Sequence, residues 1–324
     1  MPVIESSYTC HQSLQNGHLQ TIIPFFIRRT PKHKFEKRTL TTPDGDFLRY
    51  YKSSTDSPLE KKHLIIISHG LEGNGRDRYI VDMMKKFNSQ GYDVISWDMR
   101  SCGGALNRTQ KFYNAQDYHD LKFLVDSVSE DYDHVSLMGI SLGGAITANY
   151  LGRHPEVVNH KVYRGFILSS PMDLNGCSVK LKTEISRHIY RHVFVYSMRK
   201  KVIEKAKLME LPVDLNKVKN IKHIDDFDEY VTAPIYGYRD GYHYREEASP
   251  ISHLEKIRVP FYILNAYDDP FLSEESYPYE LAKRKSNIYL EVPRNGGHVG
   301  FIKSPSEEYY WYEQRILDFL KMKI

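Results

Sequence analysis

The sequence predicts an α/β fold in which helices cover both faces of a mostly parallel, doubly wound sheet. Residues 64–67 are apolar at every position, and the shorter runs at 94–97 and 135–138 are mainly apolar. Strands that are covered on both faces have this character. Helical stretches at 77–90 and 118–128 lie between these runs, and such alternation is typical of a parallel sheet.

The remaining elements extend this pattern. An opening hairpin is predicted from the alternating segments 35–40 and 47–51, which flank the turn residues Pro-Asp-Gly. Further strands are predicted at 166–168, 260–264 and 288–292, and a terminal helix at 306–321. We therefore expect a single domain that spans residues 1–324.

Between Asp173 and about Arg245 the alternation stops, and the segment is helical and basic in character. We expect a helical cap insertion at about 174–245. A charge run of this kind is more often a solvated helix face than an anion site, and both interpretations stay open here. Its cations are Lys180, Lys182, Arg187, Arg191, Arg199, Lys200, Lys201, Lys205 and Lys207.

The composition is ordinary for a globular chain and argues against several classes of protein. Of the 324 residues, 41% are hydrophobic and 27% charged. No stretch reaches the roughly 20 consecutive apolar residues of a membrane-spanning helix. The first residues lack the pattern of a secretory signal, so we expect a cytoplasmic protein. The net charge of +4, without a nucleic-acid motif, gives no reason to expect a nucleic-acid partner.

No metal or cofactor site is predicted. Cys10, Cys102 and Cys177 are widely spaced and odd in number, so they suit neither a disulfide framework nor a CxxC metal site. His18 has no partner at ligand spacing, and we expect it to anchor the N-terminal segment on the core.

The motif Gly139-Ile140-Ser141-Leu142-Gly143 follows one predicted strand directly and precedes a predicted helix. In that context GxSxG forms a nucleophile elbow, a sharp turn that lifts the serine above the sheet. The residues two before and two after the serine must be small to clear the neighbouring strand and helix, and both are glycine here. Ser141 is therefore the predicted nucleophile of an α/β-hydrolase fold.

A serine hydroxyl needs a base within about 3 Å to take its proton as it attacks. In this fold the partners follow along the chain in the order serine, acid, histidine. His298 lies in the glycine-rich segment 295–300, just after the last predicted strand. We therefore predict that His298 is the base.

The acid should follow the preceding strand, where residues 265–270 are Asn-Ala-Tyr-Asp-Asp-Pro. In many members of this fold the strand is followed by a small residue, two variable residues and then the acid, and this spacing selects Asp269 when Ala266 is the small residue. The same spacing counted from Asn265 selects Asp268, although a role in shaping the loop suits Asp268 better. Asp173 is a more distant candidate. The acid would hold the imidazole tautomer and stabilise the imidazolium.

Acyl transfer also needs backbone N–H donors for the negative charge of the tetrahedral intermediate. One donor is expected from Leu142, directly after the nucleophile. The other is expected from Leu71, because His-Gly-Leu-Glu-Gly at 69–73 resembles the HG turn after the first central strand of this fold. His69 is expected to brace that loop, and the turn at 98–104 to be scaffold.

These motifs resemble the YheT-like branch of α/β-hydrolases, a group of predicted esterases related to abhydrolase-domain lipases and medium-chain ester synthase/esterases. The likeness covers nearly the whole chain, and its first and last motifs are the most specific. The motifs are Asn-Gly-His-Leu-Gln-Thr at 16–21, the segments 69–73 and 139–144, Phe-Asp-Glu-Tyr-Val-Thr-Ala at 227–233, Asp-Asp-Pro-Phe at 268–271 and Gly-Gly-His-Val-Gly-Phe at 296–301. Carried over by position, the resemblance implies a triad of Ser141, Asp269 and His298.

The chain departs from the group at three positions outside the triad. Relatives tend to have His at the position of Asn114, Gly at Ser101 and often Asn at Ala145. We expect these departures to alter the lining of the pocket, and with it the acyl or alcohol preference.

Together the residues predict a serine esterase whose substrate is a small-molecule ester with a short- or medium-chain acyl group. The reaction would pass through an acyl-enzyme on Ser141. An alcohol acyltransferase needs the same triad, so the sequence does not separate the two. A phospholipase or lipase at a membrane surface is the alternative, since Tyr190, Phe194 and Tyr196 lie among the cations of the cap. A binding protein without activity is a further class, against which the filled triad positions argue. The oligomeric state is not defined by the sequence.

Overall fold

The computed structural model describes residues 3–28, 31–182, 184–303 and 310–322, and at 25 and 184–193 the backbone alone. In these ranges nine strands form one sheet, in the order β1-β9-β8-β7-β6-β4-β5-β3-β2. The strands are β1 (Val3–Ile4), β2 (Glu36–Thr41), β3 (Phe47–Ser53), β4 (His63–Ser68), β5 (Asp93–Asp98), β6 (His134–Ile140), β7 (Val162–Leu168), β8 (Phe261–Leu264) and β9 (Ile288–Glu291). The pairs β2–β3 and β3–β5 are antiparallel, and the other neighbours are parallel.

Helices fill the connections between the strands. They are α1 (Gly17–Ile27), α2 (Arg78–Ser89), α3 (Tyr118–Val128), α4 (Leu142–Gly152), α5 (Leu174–Leu181), α6 (Glu184–Lys205), α7 (Leu215–Lys219), α8 (Ile224–Phe227), α9 (Ala233–Tyr236), α10 (Gly241–Ala248), α11 (Tyr279–Arg284) and α12 (Trp311–Lys321). A π-helical turn at Asp228–Thr232 joins α8 to α9. None of the described helices is long and apolar enough to cross a bilayer.

The central strands of the sheet are buried between two apolar layers, as the continuous apolar character of β4 predicts. One layer contains side chains of α2 and α12, among them Met83, Phe87 and Phe319. The other contains side chains of α3, α4 and α11, such as Leu124 and Ile146. The doubly wound α/β prediction is therefore confirmed.

The element boundaries agree closely with the expectations. The hairpin forms as β2 and β3, with Gly45 in the left-handed region at φ 78°. The predicted helix at 118–128 coincides with α3, and the helix at 77–90 is observed as α2. The terminal helix begins at Trp311, and the start predicted for it at 306 lies outside the described residues.

The segment between β7 and β8 contains α5 to α10 and has an apolar cluster of its own. That cluster includes Met198 and Val202 of α6, and it also contacts Phe112 and Leu71 from the sheet side. The cations of the segment between β7 and β8 are not uniformly solvated. Lys205 is fully buried, and its Nζ donates to the carbonyl of Lys111 at 2.5 Å. A solvated helix face is therefore the wrong interpretation for Lys205. The side chains of Arg187, Arg191 and Tyr190 lie outside the described residues.

Candidate active site

Ser141 lies at the turn between β6 and α4, with φ 54° and ψ −122°. A non-glycine residue with positive φ is strained, and such strain is frequent at functional sites. The flanking glycines make the turn possible, because a Cβ on Gly143 would lie 2.4 Å from the carbonyl oxygens of Ser68 and His69. A Cβ on Gly139 would lie 2.4 Å from the carbonyl oxygen of Gly143. The turn is the sharp strand-to-helix bend that the motif predicts.

The side chains of the three predicted triad residues form one hydrogen-bonded chain. His298 Nε2 lies 2.8 Å from Ser141 Oγ, and its Nδ1 lies 2.9 Å from Asp269 Oδ2. The Asp269 side chain is fully buried, while that of His298 is 10% exposed. A carboxylate at Nδ1 favours the tautomer that carries its proton there, which leaves Nε2 as the acceptor for the serine hydroxyl.

The other two acidic candidates have different partners. Asp268 Oδ1 accepts the backbone N–H of Gly297 at 2.9 Å, so this carboxylate shapes the loop next to the histidine. Asp173 caps the N-terminus of α5 by accepting backbone N–H groups there. Among the three candidates, the carboxylate that contacts His298 is therefore that of Asp269.

The loop that carries His298 is packed closely against the first turns of α1. A Cβ on Gly297 would lie 2.4 Å from the carbonyl oxygen of Gly17, and a Cβ on Gly300 would lie 2.0 Å from that of Gln20. Any larger residue at 297 or 300 would push the two segments apart. The first and last motifs of the sequence thus form one structural unit.

Hydrogen bonds secure the same contact. Thr21 Oγ1 accepts the backbone N–H of His298 at 2.9 Å. The fully buried Gln20 bonds the backbone of Ile302 through both ends of its amide. Sequence reasoning assigned the anchoring of the N-terminal segment to His18, whereas these contacts come from Gln20 and Thr21. The role expected for His18 stays a prediction.

The loop after β4 is braced as expected by His69. Its Nδ1 donates to the carbonyl of Gly70 at 2.7 Å, and its Nε2 accepts the backbone N–H of Met99 at 3.1 Å. Burial lowers the pKa of His69 to about 4, which keeps the ring neutral and suits one donor and one acceptor nitrogen. The brace fixes the backbone immediately before Leu71.

A cavity of about 140 Å³ lies against the serine and the histidine. Its wall is mainly apolar and includes the two expected oxyanion residues, Leu71 and Leu142. Further lining comes from Phe112, Tyr113, Pro171, Leu174, Leu181, Phe194, Met198, Ile224, Phe227, Phe271 and Leu272. Phe194 and Met198 belong to α6 and Phe227 to α8, so the helical segment between β7 and β8 forms part of the wall.

Two partly buried ion pairs interrupt this apolar lining. Glu72 Oε1 lies 2.8 Å from Lys201 Nζ, and Asp228 Oδ2 lies 3.1 Å from a guanidinium nitrogen of Arg245. Burial raises the pKa of Asp228 to about 7. Sequence reasoning missed both pairs, although Glu72 and Asp228 stand in the motifs at 69–73 and 227–233.

The three departures from related sequences are not equivalent in space. Asn114 lines the cavity, so the expectation of a changed lining applies to it. Ala145 and Ser101 are buried and are not among the described lining residues, although Ala145 packs in one apolar cluster with Tyr244 and Leu174 of the lining, so for these two the expectation stays a prediction. Ser101 has φ 62°, a left-handed conformation that glycine adopts more readily.

The fold and the geometry at Ser141 define the class of protein, and comparison with known families agrees. The chain matches the family described as "alpha/beta hydrolase fold" over residues 63–305 and belongs to that family. Its relatives within the family include esterases and lipases, as the names of the similar proteins state.

Three relatives cover most of the chain. "Putative esterase YheT" of Escherichia coli (strain K12) is 28% identical over 95% of this chain and 91% of its own length. "Phospholipase ABHD3" of Mus musculus is 26% identical over 93% of this chain and 75% of its own. "Monoacylglycerol lipase" of Saccharomyces cerevisiae is 27% identical over 91% of this chain and 69% of its own. The resemblance to the YheT-like branch is thereby confirmed.

Solved structures show the same fold at lower identity. The α/β hydrolase GrgF from Penicillium sp. sh18 has a TM-score of 0.59 at 16% identity and covers 89% of this chain and 98% of its own. The Pyrococcus furiosus esterase Pf2001 has a TM-score of 0.59 at 19% identity and covers 90% of this chain and 91% of its own.

Proposed function

We propose that this chain is a serine esterase that hydrolyses carboxylic esters through an acyl-enzyme on Ser141. The observation that carries the proposal is the hydrogen-bonded chain from Asp269 through His298 to Ser141, with distances of 2.9 and 2.8 Å, at the wall of an apolar cavity. The membership of the family and the names of the relatives support the reaction class.

The proposed reaction has two halves. His298 Nε2 takes the proton from Ser141 as its oxygen attacks the ester carbonyl, while Asp269 stabilises the imidazolium. The backbone N–H groups of Leu71 and Leu142 stabilise the resulting oxyanion. The intermediate expels the alcohol, which receives its proton from His298. Water then attacks the acyl-enzyme with His298 as base, and His298 returns the proton to Ser141 Oγ as the carboxylic acid is released.

The size of the cavity supports a short acyl chain. Its volume of about 140 Å³ is close to that of an engineered apolar cavity of roughly 150 Å³ that binds benzene. An acyl group of about six carbons fills a comparable space. With nitrophenyl esters of increasing chain length, we expect kcat/KM to peak near four to six acyl carbons. A steady rise up to twelve or more carbons would contradict this part of the proposal.

We also propose that the segment at about 174–245 acts as the cap of the site. Phe194 and Met198 of α6 and Phe227 of α8 face the same cavity as Ser141, which supports this role. In this arrangement the cap excludes water from the acyl side of the ester and sets the length of chain that fits.

Covalent labelling by a fluorophosphonate tests the esterase proposal most directly. The reagent reacts with an activated serine, so we expect it to label the wild-type chain and not the Ser141→Ala variant. Ser178 lines the same cavity and provides the matched control, because Ser178→Ala should still be labelled. Failure to label a folded wild-type chain, together with no ester hydrolysis, would reject the proposal.

A lipase or phospholipase acting at a membrane surface is the second candidate, and the names of two relatives favour it. The described cations of the cap divide on this point, because Lys201 and Lys205 are engaged inside the protein, whereas the side chains of Lys182 and Lys200 are 48% and 62% exposed. Binding to anionic vesicles, with long-chain phospholipid hydrolysed faster than soluble esters, would favour it. Ester exchange that outpaces hydrolysis in the presence of ethanol would instead indicate an acyltransferase.

A further inference from the structure

Glu72, the residue after the expected oxyanion donor Leu71, is held in an unusual way. Its φ is 59°, in the left-handed region that non-glycine residues seldom adopt. Its side chain is 7% exposed, and its carboxylate accepts from both Tyr113 and Lys201. A strained conformation of this kind persists where surrounding contacts determine it.

Tyr113 bonds both the backbone and the side chain of Glu72. Its hydroxyl accepts the backbone N–H of Glu72 at 3.2 Å and donates to the carboxylate at 2.7 Å. Burial, followed by the negative charge of Glu72, raises the pKa of Tyr113 well above its ordinary value. The phenol therefore stays protonated and keeps its donor role. This bridge fixes the peptide plane that joins Leu71 to Glu72, while the preceding plane, which contains the Leu71 N–H, is held by His69 through the carbonyl of Gly70. The position of the Leu71 Cα between the two planes therefore depends on Glu72.

Lys201 connects the same loop to the helical segment. It belongs to α6, its Nζ lies 2.8 Å from Glu72 Oε1 and 3.6 Å from Cys102 Sγ, and its side chain is 20% exposed. Leu71 itself packs against the apolar cluster that contains Met198 and Val202 of α6. The loop after β4 is thus tied to α6 by an ion pair and by an apolar contact.

We propose that Glu72 is a positioning residue that orients the backbone N–H of Leu71 toward the ester oxygen. Through its ion pair with Glu72, Lys201 makes this orientation depend on the position of α6. The inference rests on the proposed esterase function. Loss of one oxyanion donor lowers kcat by roughly 100- to 1,000-fold, and small misplacements near reacting atoms are also costly. Releasing the ion pair leaves the Tyr113 bridge in place, so we expect a smaller loss.

The experiment compares Glu72→Gln, Lys201→Met and the double variant, with Lys200→Met as the matched control. Lys200 neighbours Lys201 on α6, but its side chain is 62% exposed and its pairing with Glu204 lies on the surface. In nitrophenyl ester hydrolysis we expect kcat to fall about 10- to 100-fold in the two single variants, with KM changed less than about twofold. Lys200→Met should match the wild type.

A trifluoromethyl ketone supplies a readout that a purely structural role would not move. It adds to the serine as a hemiketal whose oxyanion occupies the same hole as the tetrahedral intermediate. Across the variants its affinity should fall in proportion to kcat/KM. An unchanged inhibitor affinity beside a reduced kcat would overturn the proposal.

The double variant separates positioning from folding. A single change leaves one buried charge without its partner and can destabilise the chain, whereas removing both charges avoids this penalty. We expect the double variant to recover thermal stability while kcat stays low. Recovery of wild-type kcat in the double variant, or wild-type kcat in Lys201→Met, would overturn the proposal. If the wild type neither hydrolyses esters nor reacts with a fluorophosphonate, the proposed function itself has failed.

Discussion

The turn that carries Ser141 and the loop that carries His298 are built in different ways. The shape of the turn depends on glycines within two residues of the serine, because larger side chains would meet nearby carbonyl groups at 2.4 Å. The loop depends on α1, since the backbone N–H of His298 donates to Thr21, which stands 277 positions earlier in the chain. The turn at the nucleophile thus needs small residues within two positions of the serine, whereas the base depends on a hydrogen bond to a residue far along the chain.

The two halves of the site are therefore sensitive to different kinds of substitution. A change in the turn acts on the serine at once, because no neighbouring group can give way around a backbone carbonyl. A change in α1 acts on His298 through one or two hydrogen bonds, each of which contributes about 1 kcal/mol. We therefore expect steep losses for changes in the turn and graded losses for changes in α1.

The largest effect tests whether the two regions work as one unit. Ser141→Ala and His298→Ala should each lower kcat/KM by roughly 10⁴-fold or more, because neither residue acts without the other. Steady-state ester hydrolysis measures this, with the exposed His154 changed to Ala as the control. A His298→Ala variant that keeps a tenth of the wild-type activity would show that Ser141 reacts without His298. That result would contradict the assignment of His298 as the base.

The next effect tests the acid on the loop side. Asp269→Asn should lower kcat by about 10³- to 10⁴-fold, since the amide no longer favours the reactive tautomer of His298. Asp268→Asn removes the charge but keeps an oxygen that can accept the backbone N–H of Gly297, so it should cost about tenfold or less. Rates of both variants at one pH decide between them. A greater loss for Asp268→Asn would make the choice of acid wrong.

A smaller effect tests the steric account of the turn. Gly143→Ala should lower kcat about 100-fold and destabilise the fold by about 3 kcal/mol, because the new methyl group meets two carbonyl oxygens. Gly45→Ala is the control, as Gly45 has φ 78° but a Cβ added there would have no neighbour within 4 Å. It should cost about 1 kcal/mol through backbone strain and leave kcat unchanged. Urea unfolding and ester hydrolysis measure both quantities, and equal effects of the two changes would refute the steric explanation.

The smallest effect tests the distant support of the histidine. Thr21→Val keeps the shape of the side chain but removes the hydroxyl that accepts the N–H of His298. We expect kcat to fall about three- to tenfold, in line with one lost hydrogen bond. Thr21→Ser retains the hydroxyl and should stay within twofold of the wild type. If both variants equal the wild type, α1 does not contribute to placing the base.

Much of the architecture and the order of the site residues could be predicted from the sequence. The continuous apolar run of β4 and the alternation of strands with helices identify a parallel sheet, because burial on both faces requires such runs. The glycines around Ser141 indicate the turn, because its steric demands fall on residues within two positions. Each of these signals is local in the chain.

The contacts of adjacent and distant residues were decided by the tertiary structure. Asp268 and Asp269 are chemically identical neighbours, and the course of the loop alone turns the second toward His298 and the first toward Gly297. The pairing of Thr21 with His298 and of Glu72 with Lys201 joins segments that no spacing rule connects. Periodicity and local sterics act over a few residues, whereas these contacts exist because the folded sheet brings remote loops to one edge.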